Sequence, residues 1–159
     1  MSEIYAALAG VRHIALATVN ADGTPHNTPL FFAVDEDFTK ILFASRESSL
    51  HSINFLRNGD GYAVMYDSNV FYGGLYLTLQ NGRVSVGQEL EKNLKIYNKK
   101  CLDSENDALS RDFHLIEDGY KIFVGDITKI EMYHGQEDSE GHLVNETRKE
   151  ISAEDLLND

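Results

Sequence analysis

The stretch HIALATVNADGTPHNTPLFFAVDEDFTKILFAS, residues 13–45, decides the fold, because it alternates short apolar segments with tight turns. Three segments rich in β-branched, aromatic and aliphatic residues predict strands: His13–Val19, Asn27–Val34 and Lys40–Ala44. Asp22-Gly23 is a strong hairpin signal between the first two, and an acidic DED turn separates the second from the third. We therefore expect a run of short antiparallel strands near the start of the chain.

Turn and helix signals divide the rest of the sequence into short elements. The predicted elements are a helix over Ser48–Arg57, strands over Gly61–Tyr66, Tyr72–Gln80, Arg83–Val86 and Tyr120–Tyr133, and helices over Met1–Gly10, Glu89–Cys101, Ala108–Ile116 and Ser152–Leu157. In the first of these helices, Leu50, Ile53 and Leu56 recur on one face. Asn81-Gly82 predicts a tight turn between two strands.

The order of these elements predicts the fold class. Short antiparallel strands, a helix inserted after the third strand and more strands behind it are typical of a closed or partly open β-barrel with peripheral helices. The class is mainly β, within α+β. We expect one domain over residues 1–134. Residues 135–159, which begin with a polar loop over Gly135–Gly141, are expected to form an acidic C-terminal extension.

The charge distribution argues against several kinds of partner. The formal net charge is −12, and residues 131–159 carry nine Asp or Glu against two Lys or Arg, which gives −7. An acidic chain without a clustered basic face is a poor binder of nucleic acid or of anionic lipid. No secretory signal or membrane-spanning run is recognisable, and Cys101 is the only cysteine. The sequence therefore predicts a cytoplasmic protein with no nucleic-acid or membrane partner.

Common catalytic and metal-binding motifs are missing from the sequence. It contains neither a Gly-rich nucleotide-binding loop nor a GxSxG nucleophile elbow. Its six histidines show no HExxH or i,i+4 spacing, so no metal site is predicted. No residue stands out as a general acid or base, and we assign no catalytic residue.

The segment LFASRESSLHSINFLRNG, residues 42–59, passes from a strand into a helix and carries a polar cluster between the two. Helix capping by Ser48 or Ser49 accounts for part of that cluster. The alternative is an anion site, because a helix N-terminus presents unpaired N–H groups and about half a unit of positive charge.

Three further residues favour the anion site. Ser45 would add a hydroxyl donor, and Arg46 could add a charged fork. His51 is the unusual residue, because the helix dipole disfavours a protonated imidazole in the first turn. A nearby phosphate would reverse that preference and raise its pKa. His51 therefore fits better with an anion beside it than without one.

An ordered set of short motifs spans residues 10–134. It comprises a first strand of the ALAT kind, then DGTP, a strand with proline and aromatics (TPLFF), a strand ending LFAS, and a helix that continues toward an NxxxN segment, Asn54 to Asn58. NGRVSV and YKIFVGDITKIEMY follow as closing strands. This set resembles the flavin-binding split-barrel family related to pyridoxamine 5′-phosphate oxidase. The resemblance implies an antiparallel split β-barrel.

The resemblance also implies a homodimer with FMN at the subunit interface. By position, the residues that would line the isoalloxazine ring, partly through backbone, are Thr28, Pro29, Leu30 and Phe31. The residues that would hold the phosphate are Ser45, Ser49 and His51, with Arg46 as an additional cation. His51 stands where the family commonly has lysine, and Leu50 where the oxidase itself has arginine. These two departures reduce the positive charge available to the phosphate.

The resemblance implies an FMN-binding protein and a flavin-dependent oxidoreductase acting on a small-molecule substrate or electron donor. Pyridoxamine 5′-phosphate oxidase activity itself is not expected, because the oxidase has a C-terminal substrate segment rich in Trp and Arg, whereas this chain has no Trp and an acidic tail. The alternative is a non-enzymatic flavin- or haem-binding carrier or sensor that acts as a dimer. Deazaflavin and haem are the alternative cofactors, since relatives bind them.

Overall fold

Within residues 10–66, 74–103 and 119–158, which the computed structural model describes, the chain forms seven β-strands and three helices. They are β1 His13–Val19, β2 Pro25–Val34, β3 Lys40–Arg46, α1 Leu50–Asn58, β4 Gly61–Tyr66, β5 Gly74–Val84, α2 Gly87–Asp103, β6 Tyr120–Glu137, β7 Leu143–Ile151 and α3 Ala153–Asn158. The predicted bounds of β1 and β4 are confirmed. The predicted helices at Met1–Gly10, apart from Gly10, and at Ala108–Ile116 lie outside the described residues.

Six of the strands close into an antiparallel barrel. Hydrogen-bonded neighbours follow the order β3-β2-β1-β4-β5-β6, and a further pairing of β3 with β6 completes the ring. Strand β6 pairs with different strands along its length: residues 120–126 pair with β3, and residues 130–137 pair with β7. Strand β7 therefore lies beyond the ring, where β6 leaves it. The predicted split barrel is confirmed.

Two apolar clusters follow from the alternation of side chains along the barrel strands. On β3, Ile41 and Phe43 face the barrel interior, whereas Leu42 and Ala44 face α2. The interior cluster draws on every strand of the ring, and the outer cluster fills the space between the barrel and α2. Ser45 follows on the interior face of β3, at the end of the core.

Helix α1 packs with its polar side inward. Its predicted apolar stripe would ordinarily be the buried face, yet Leu50, Ile53 and Leu56 are 49%, 45% and 38% exposed. The side that contacts the barrel carries His51, Ser52, Asn54 and Phe55. Hydrogen bonds stabilise this orientation in part, since the buried Asn54 amide donates to Thr18 Oγ1 at 3.3 Å and to Asn20 Oδ1 at 2.8 Å.

Phe55 is the apolar anchor of α1. Its ring is fully buried and lies 5.6 Å from the ring of Phe43. Three glycines on β4, β5 and β6 leave room for it: a Cβ placed on Gly61, Gly82 or Gly125 would come within 3.0, 2.9 or 2.8 Å of a Phe55 ring carbon. The helix therefore sits on the barrel through an aromatic ring in a glycine-lined recess.

The predicted turn at Asn81-Gly82 is wrong. The predicted strands on either side of it are one strand, β5, because both flanks pair with β6: Gln80 opposite Asp126 and Arg83 opposite Val124. The register shifts between Gln80 and Arg83, which marks a β-bulge, and Asn81 takes a left-handed φ of 55° there. The Asn-Gly pair bends the strand without reversing it.

The C-terminal part of the chain contains a strand that the sequence pattern did not predict. Strand β6 continues through Glu137 into the predicted polar loop, and β7 pairs back along it. Ser152, the first residue of the last predicted helix, caps α3: Asp155 N–H donates to Ser152 Oγ at 3.0 Å, and Ser152 Oγ donates to Asp155 Oδ2 at 2.7 Å. Leu156 packs into the barrel core. The division into residues 1–134 and 135–159 stays a prediction.

Candidate functional site

A buried hydrogen bond between Ser45 and His51 lies where β3 meets α1. Ser45 Oγ and His51 Nε2 are 2.7 Å apart, and both side chains are buried. Ser45 reaches this point because it follows Phe43 on the interior face of β3, and His51 because the polar side of α1 faces the barrel. The His51 ring lies 6.3 Å from that of Phe43. The structure therefore brings these two predicted site residues together.

The N-terminus of α1 suits an anion. Ser49 is the N-cap residue, with an extended backbone at φ −69° and ψ 142°, but its hydroxyl makes no capping hydrogen bond within the described part of the chain. The first turn contains no acidic residue. The dipole of α1 and its first N–H groups are therefore not offset by a carboxylate in that turn. Side-chain capping does not account for Ser49.

His26 and Thr28 approach the same region from β2. Both lie on the face of β2 that continues into the barrel core through Leu30, and His26 Nε2 is 2.9 Å from Thr28 Oγ1. Burial lowers the pKa of His51, and the positive charge that His26 can carry lowers that pKa further. The two elements also approach each other at Thr18, which lies opposite His26 on β1 and accepts a hydrogen bond from Asn54 of α1.

Arg46 does not join this group. Successive residues of a strand point to opposite faces, so Arg46 lies on the other side of β3 from Ser45. Its guanidinium is 5.3 Å from the centre of the Tyr120 ring, on the neighbouring strand β6. Leu50, at the start of α1, adds no charge. In the part of the chain that the structure describes, the positive groups at this site are therefore imidazoles and backbone N–H groups.

The four residues predicted to line a flavin ring do not share one face of β2. Leu30 packs against the barrel core, whereas Phe31 packs on the outside, with ring centres 5.6 Å from Tyr97 and 6.1 Å from His13. Pro29 is exposed, and Thr28 is half-buried beside His26. A planar ligand could contact all four only along the backbone. Their ring-binding role stays a prediction.

The donor set fits a phosphate. Hydroxyls of Ser45 and Ser49, an imidazole and helix N–H groups are the groups that bind phosphate oxygens. The hydroxyl of Ser52, in the first turn of α1, is buried without a hydrogen-bond partner among the described residues. A buried hydroxyl without a partner costs free energy. The site therefore has donor capacity for a phosphate, but no lysine or arginine among the described residues is seen to join it.

Sequence reasoning did not place His26 near the first turn of α1. The signal was present in the motif DGTPHNT, where positions 26 and 28 alternate onto one face of a strand. What the pattern could not show was that this face meets the first turn of α1. Within the described ranges, no group of three or more His, Cys, Asp or Glu side chains could hold a metal ion. In the same ranges, no helix is long and apolar enough to cross a membrane.

Comparison with solved structures finds the same fold in several proteins. A conserved hypothetical protein of Mycobacterium tuberculosis is 17% identical, with a TM-score of 0.61 over 82% of each chain. A protein described as an F420 reductase is 17% identical, with a TM-score of 0.59 over 82% of this chain and 97% of that one. A haem-binding protein of Mycobacterium smegmatis is 11% identical, with a TM-score of 0.61 over 99% of this chain and 61% of its own. At such identities the likeness shows the fold alone.

Comparison at the level of sequence identifies the family. A search of curated proteins found no match. The profile described as pyridoxamine 5′-phosphate oxidase matches residues 1–121, which is most of the chain and includes β1 to α2. The barrel topology and the solved structures of the same fold agree with that match. The chain therefore belongs to the pyridoxamine 5′-phosphate oxidase family of split-barrel proteins.

Proposed function

We propose that this protein binds FMN, with the phosphate at the N-terminus of α1, and that it is a flavin-dependent oxidoreductase. The observation that carries the proposal is the buried Ser45–His51 hydrogen bond of 2.7 Å beside a helix N-terminus whose first turn has no acidic residue. Bound FMN would supply the redox chemistry, and the protein would supply binding and electrostatics. The substrate is a small molecule that the site residues do not specify.

The phosphate end of the site is the better supported part of this proposal. His51 and Ser45 are held against each other and against Phe43, so both donors are preorganised. Ser49 stands at the N-cap with its hydroxyl not used for capping. Preorganised donors lose little conformational entropy when a ligand binds. The ring end depends on the backbone of residues 28–31, which the family resemblance assigns.

We also propose that the protein is a homodimer with the cofactor at the subunit interface. Leu50, Ile53 and Leu56 expose an apolar stripe on α1 immediately beside the phosphate site, and Val19 is 46% exposed at the end of β1. A second copy that covered this stripe would bury apolar surface next to the cofactor. An Ile53→Lys variant should elute later than the wild type in gel filtration, because a charge in the stripe opposes association. An unchanged elution volume would remove α1 from the interface.

A non-enzymatic carrier or sensor is the second candidate. The observation that favours it concerns positive charge at the two positions described here: Leu50 is apolar, and the Arg46 guanidinium lies 5.3 Å from the centre of the Tyr120 ring. A weak hold on the phosphate suits a protein that exchanges its flavin. Deazaflavin and haem are the alternative ligands, since proteins described as an F420 reductase and as haem-binding share this fold.

The visible spectrum of freshly purified protein, with mass spectrometry of any molecule released on denaturation, tests these candidates. A yellow protein that bleaches with NAD(P)H supports the oxidoreductase. A yellow protein that no reductant turns over supports the carrier. A colourless protein that gains no stability from added FMN would contradict flavin binding, because a ligand that binds only the folded state must raise its stability.

Substitution of His51 tests the phosphate site itself. His51→Ala should weaken FMN binding by about 1–3 kcal/mol, the cost of a lost hydrogen bond to a charged group. His51→Lys should bind FMN at least as well as the wild type. His142→Ala is the control, because the His142 side chain is 71% exposed in the β6–β7 turn. If the His51→Ala variant and the control bound FMN with equal affinity, His51 would not contribute to phosphate binding.

A further inference from the structure

His26 and His51 come from two elements that approach each other at Thr18. His26 lies opposite Thr18 in the pairing of β1 with β2, and Thr18 Oγ1 accepts a hydrogen bond from Asn54, which lies about one turn from His51 on the buried side of α1. His26 belongs to β2 and His51 to the first turn of α1, and each is hydrogen-bonded to a hydroxyl, His26 to Thr28 at 2.9 Å and His51 to Ser45 at 2.7 Å. We propose that His26 and His51 together neutralise the FMN phosphate in place of a lysine or arginine, so that FMN binding takes up protons from solution. This inference rests on the proposed function and adds His26 and a pH dependence to it.

The geometry supplies both donors that an anion requires. The Nε2 atom of His51 is engaged with Ser45, so a protonated ring would have its second N–H for the phosphate. His26 stands on the interior face of β2, where the hydroxyl of Thr28 orients its ring. Two rings held by separate hydroxyls can approach one anion from two elements.

The charged groups on the neighbouring elements do not compete with the two histidines for the phosphate. Among the described residues, His26 is the one titratable group whose charge contributes to the pKa shift of His51. On β3, Arg46 faces the opposite side of the strand, and Glu47 is exposed in the loop before α1. At the far end of α1, Arg57 donates to the side chain of Asn54. In β1 the neighbouring group is the neutral Thr18, which pairs with His26.

The sign of the pH dependence follows from the ligand. Without an anion, burial and His26 hold the pKa of His51 below its ordinary value, so the ring is neutral at neutral pH. A phosphate dianion favours the imidazolium and raises that pKa. Binding therefore takes up a proton, and FMN affinity rises as the pH falls. Above a pH of about 7 the phosphate stays a dianion, since its second pKa is about 6, and the histidines are the groups that change.

Calorimetric titration of FMN and of riboflavin, which lacks the phosphate, into the cofactor-free full-length protein tests the inference. Titrations in two buffers of different ionisation enthalpy give the number of protons taken up. We expect about one proton per FMN between pH ~7 and ~8.5, and up to about a tenfold loss of affinity per pH unit for each proton. Riboflavin should bind without proton uptake and independently of pH over this range.

Matched variants assign the protons to the two rings. His26→Gln and His51→Gln keep a hydrogen-bonding side chain but cannot be protonated, so each should reduce the proton uptake and the pH slope. His142→Gln, in the exposed turn, should leave both unchanged. The proton number of the wild type needs no variant, so it shows whether proton uptake accompanies phosphate binding even where a variant does not fold.

Two outcomes would overturn the inference and can be told apart. If FMN binds more tightly than riboflavin but without proton uptake, the histidine pair does not carry the phosphate charge, while the proposed FMN site survives. If neither flavin binds at any pH, the proposed function fails and this inference with it.

Discussion

The seating of Phe55 among glycines predicts a specific energetic coupling between α1 and the barrel. A Cβ on Gly125 would lie 2.8 Å from Phe55 Cζ, closer than real Cβ atoms approach a neighbour. Its next contacts, Leu79 Cβ at 3.4 Å and Ile41 Cγ2 at 3.5 Å, are close to ordinary packing distances. Gly125→Ala should therefore destabilise the protein by about 1–3 kcal/mol, the usual cost of overpacking a core, and almost all of it through the Phe55 ring.

The coupling can be measured with a double-mutant cycle in denaturant unfolding. Leucine lacks the atom that meets the new methyl group, so Gly125→Ala should cost less in a Phe55→Leu background. The expected coupling is about 0.5–3 kcal/mol in the rescuing direction. Midpoints and slopes from urea titrations of the four proteins give the four stabilities.

Gly82 provides the matched control for this cycle. A Cβ there would meet Phe55 Cε1 at 2.9 Å and also the backbone oxygen of Phe55 at 2.9 Å. Leucine removes the ring carbon but not the backbone oxygen, so Phe55→Leu should rescue Gly82→Ala less than Gly125→Ala. The contact between the Phe55 ring and Gly125 would be refuted if Gly125→Ala left the free energy of unfolding unchanged. It would also be refuted if Gly125→Ala cost as much stability in the Phe55→Leu background as in the wild type. In that case Phe55, one helical turn from His51, would not be the residue that fixes the position of His51 on the barrel.

Two further predictions concern the polar side of α1. Burial and the charge of His26 lower the pKa of His51 in the folded state, so the unfolded chain binds more protons near that pKa. The ligand-free protein should therefore lose stability as the pH falls below about 6.5. In thermal melts, the melting temperature of the His51→Gln variant should depend less on pH than that of the wild type. Asn54→Ala should lower the free energy of unfolding by about 1–3 kcal/mol, because Thr18 and Arg57 lose the buried amide that they contact. Urea titrations measure this change. A difference within experimental error would mean that water replaces the amide.

Local sequence determined the elements whose signals are short-range. The bounds of β1 and β4 could be predicted because apolar residues alternate between clear turn signals, such as Asp22-Gly23, where Gly23 takes a φ of 85°. The Ser152 cap could be predicted for the same reason, since both of its partners lie within one helical turn. The ordered motifs over residues 10–134 were also sufficient to recognise the family.

Long-range pairing decided what those signals could not. Asn81-Gly82 has the composition of a hairpin turn, but β6 pairs with both of its flanks and keeps the chain in one strand. Strand β7 is rich in charged residues and has little strand propensity of its own; it forms because β6 extends beyond the barrel and offers an edge. Pairing energies of this kind depend on residues far apart in the chain, which local patterns do not record.

The candidate site shows the same division. From the sequence alone, Ser45, Ser49 and His51 could be assigned to a helix N-terminus, because that assignment needs only local order along the chain. Only the tertiary structure turned the polar side of α1 inward, brought His26 to His51 and left Arg46 on the opposite face of β3. The physical reason is that Phe55 fits a recess made by glycines of three strands, which turns that side of α1 toward the barrel and leaves Leu50, Ile53 and Leu56 on the outer side.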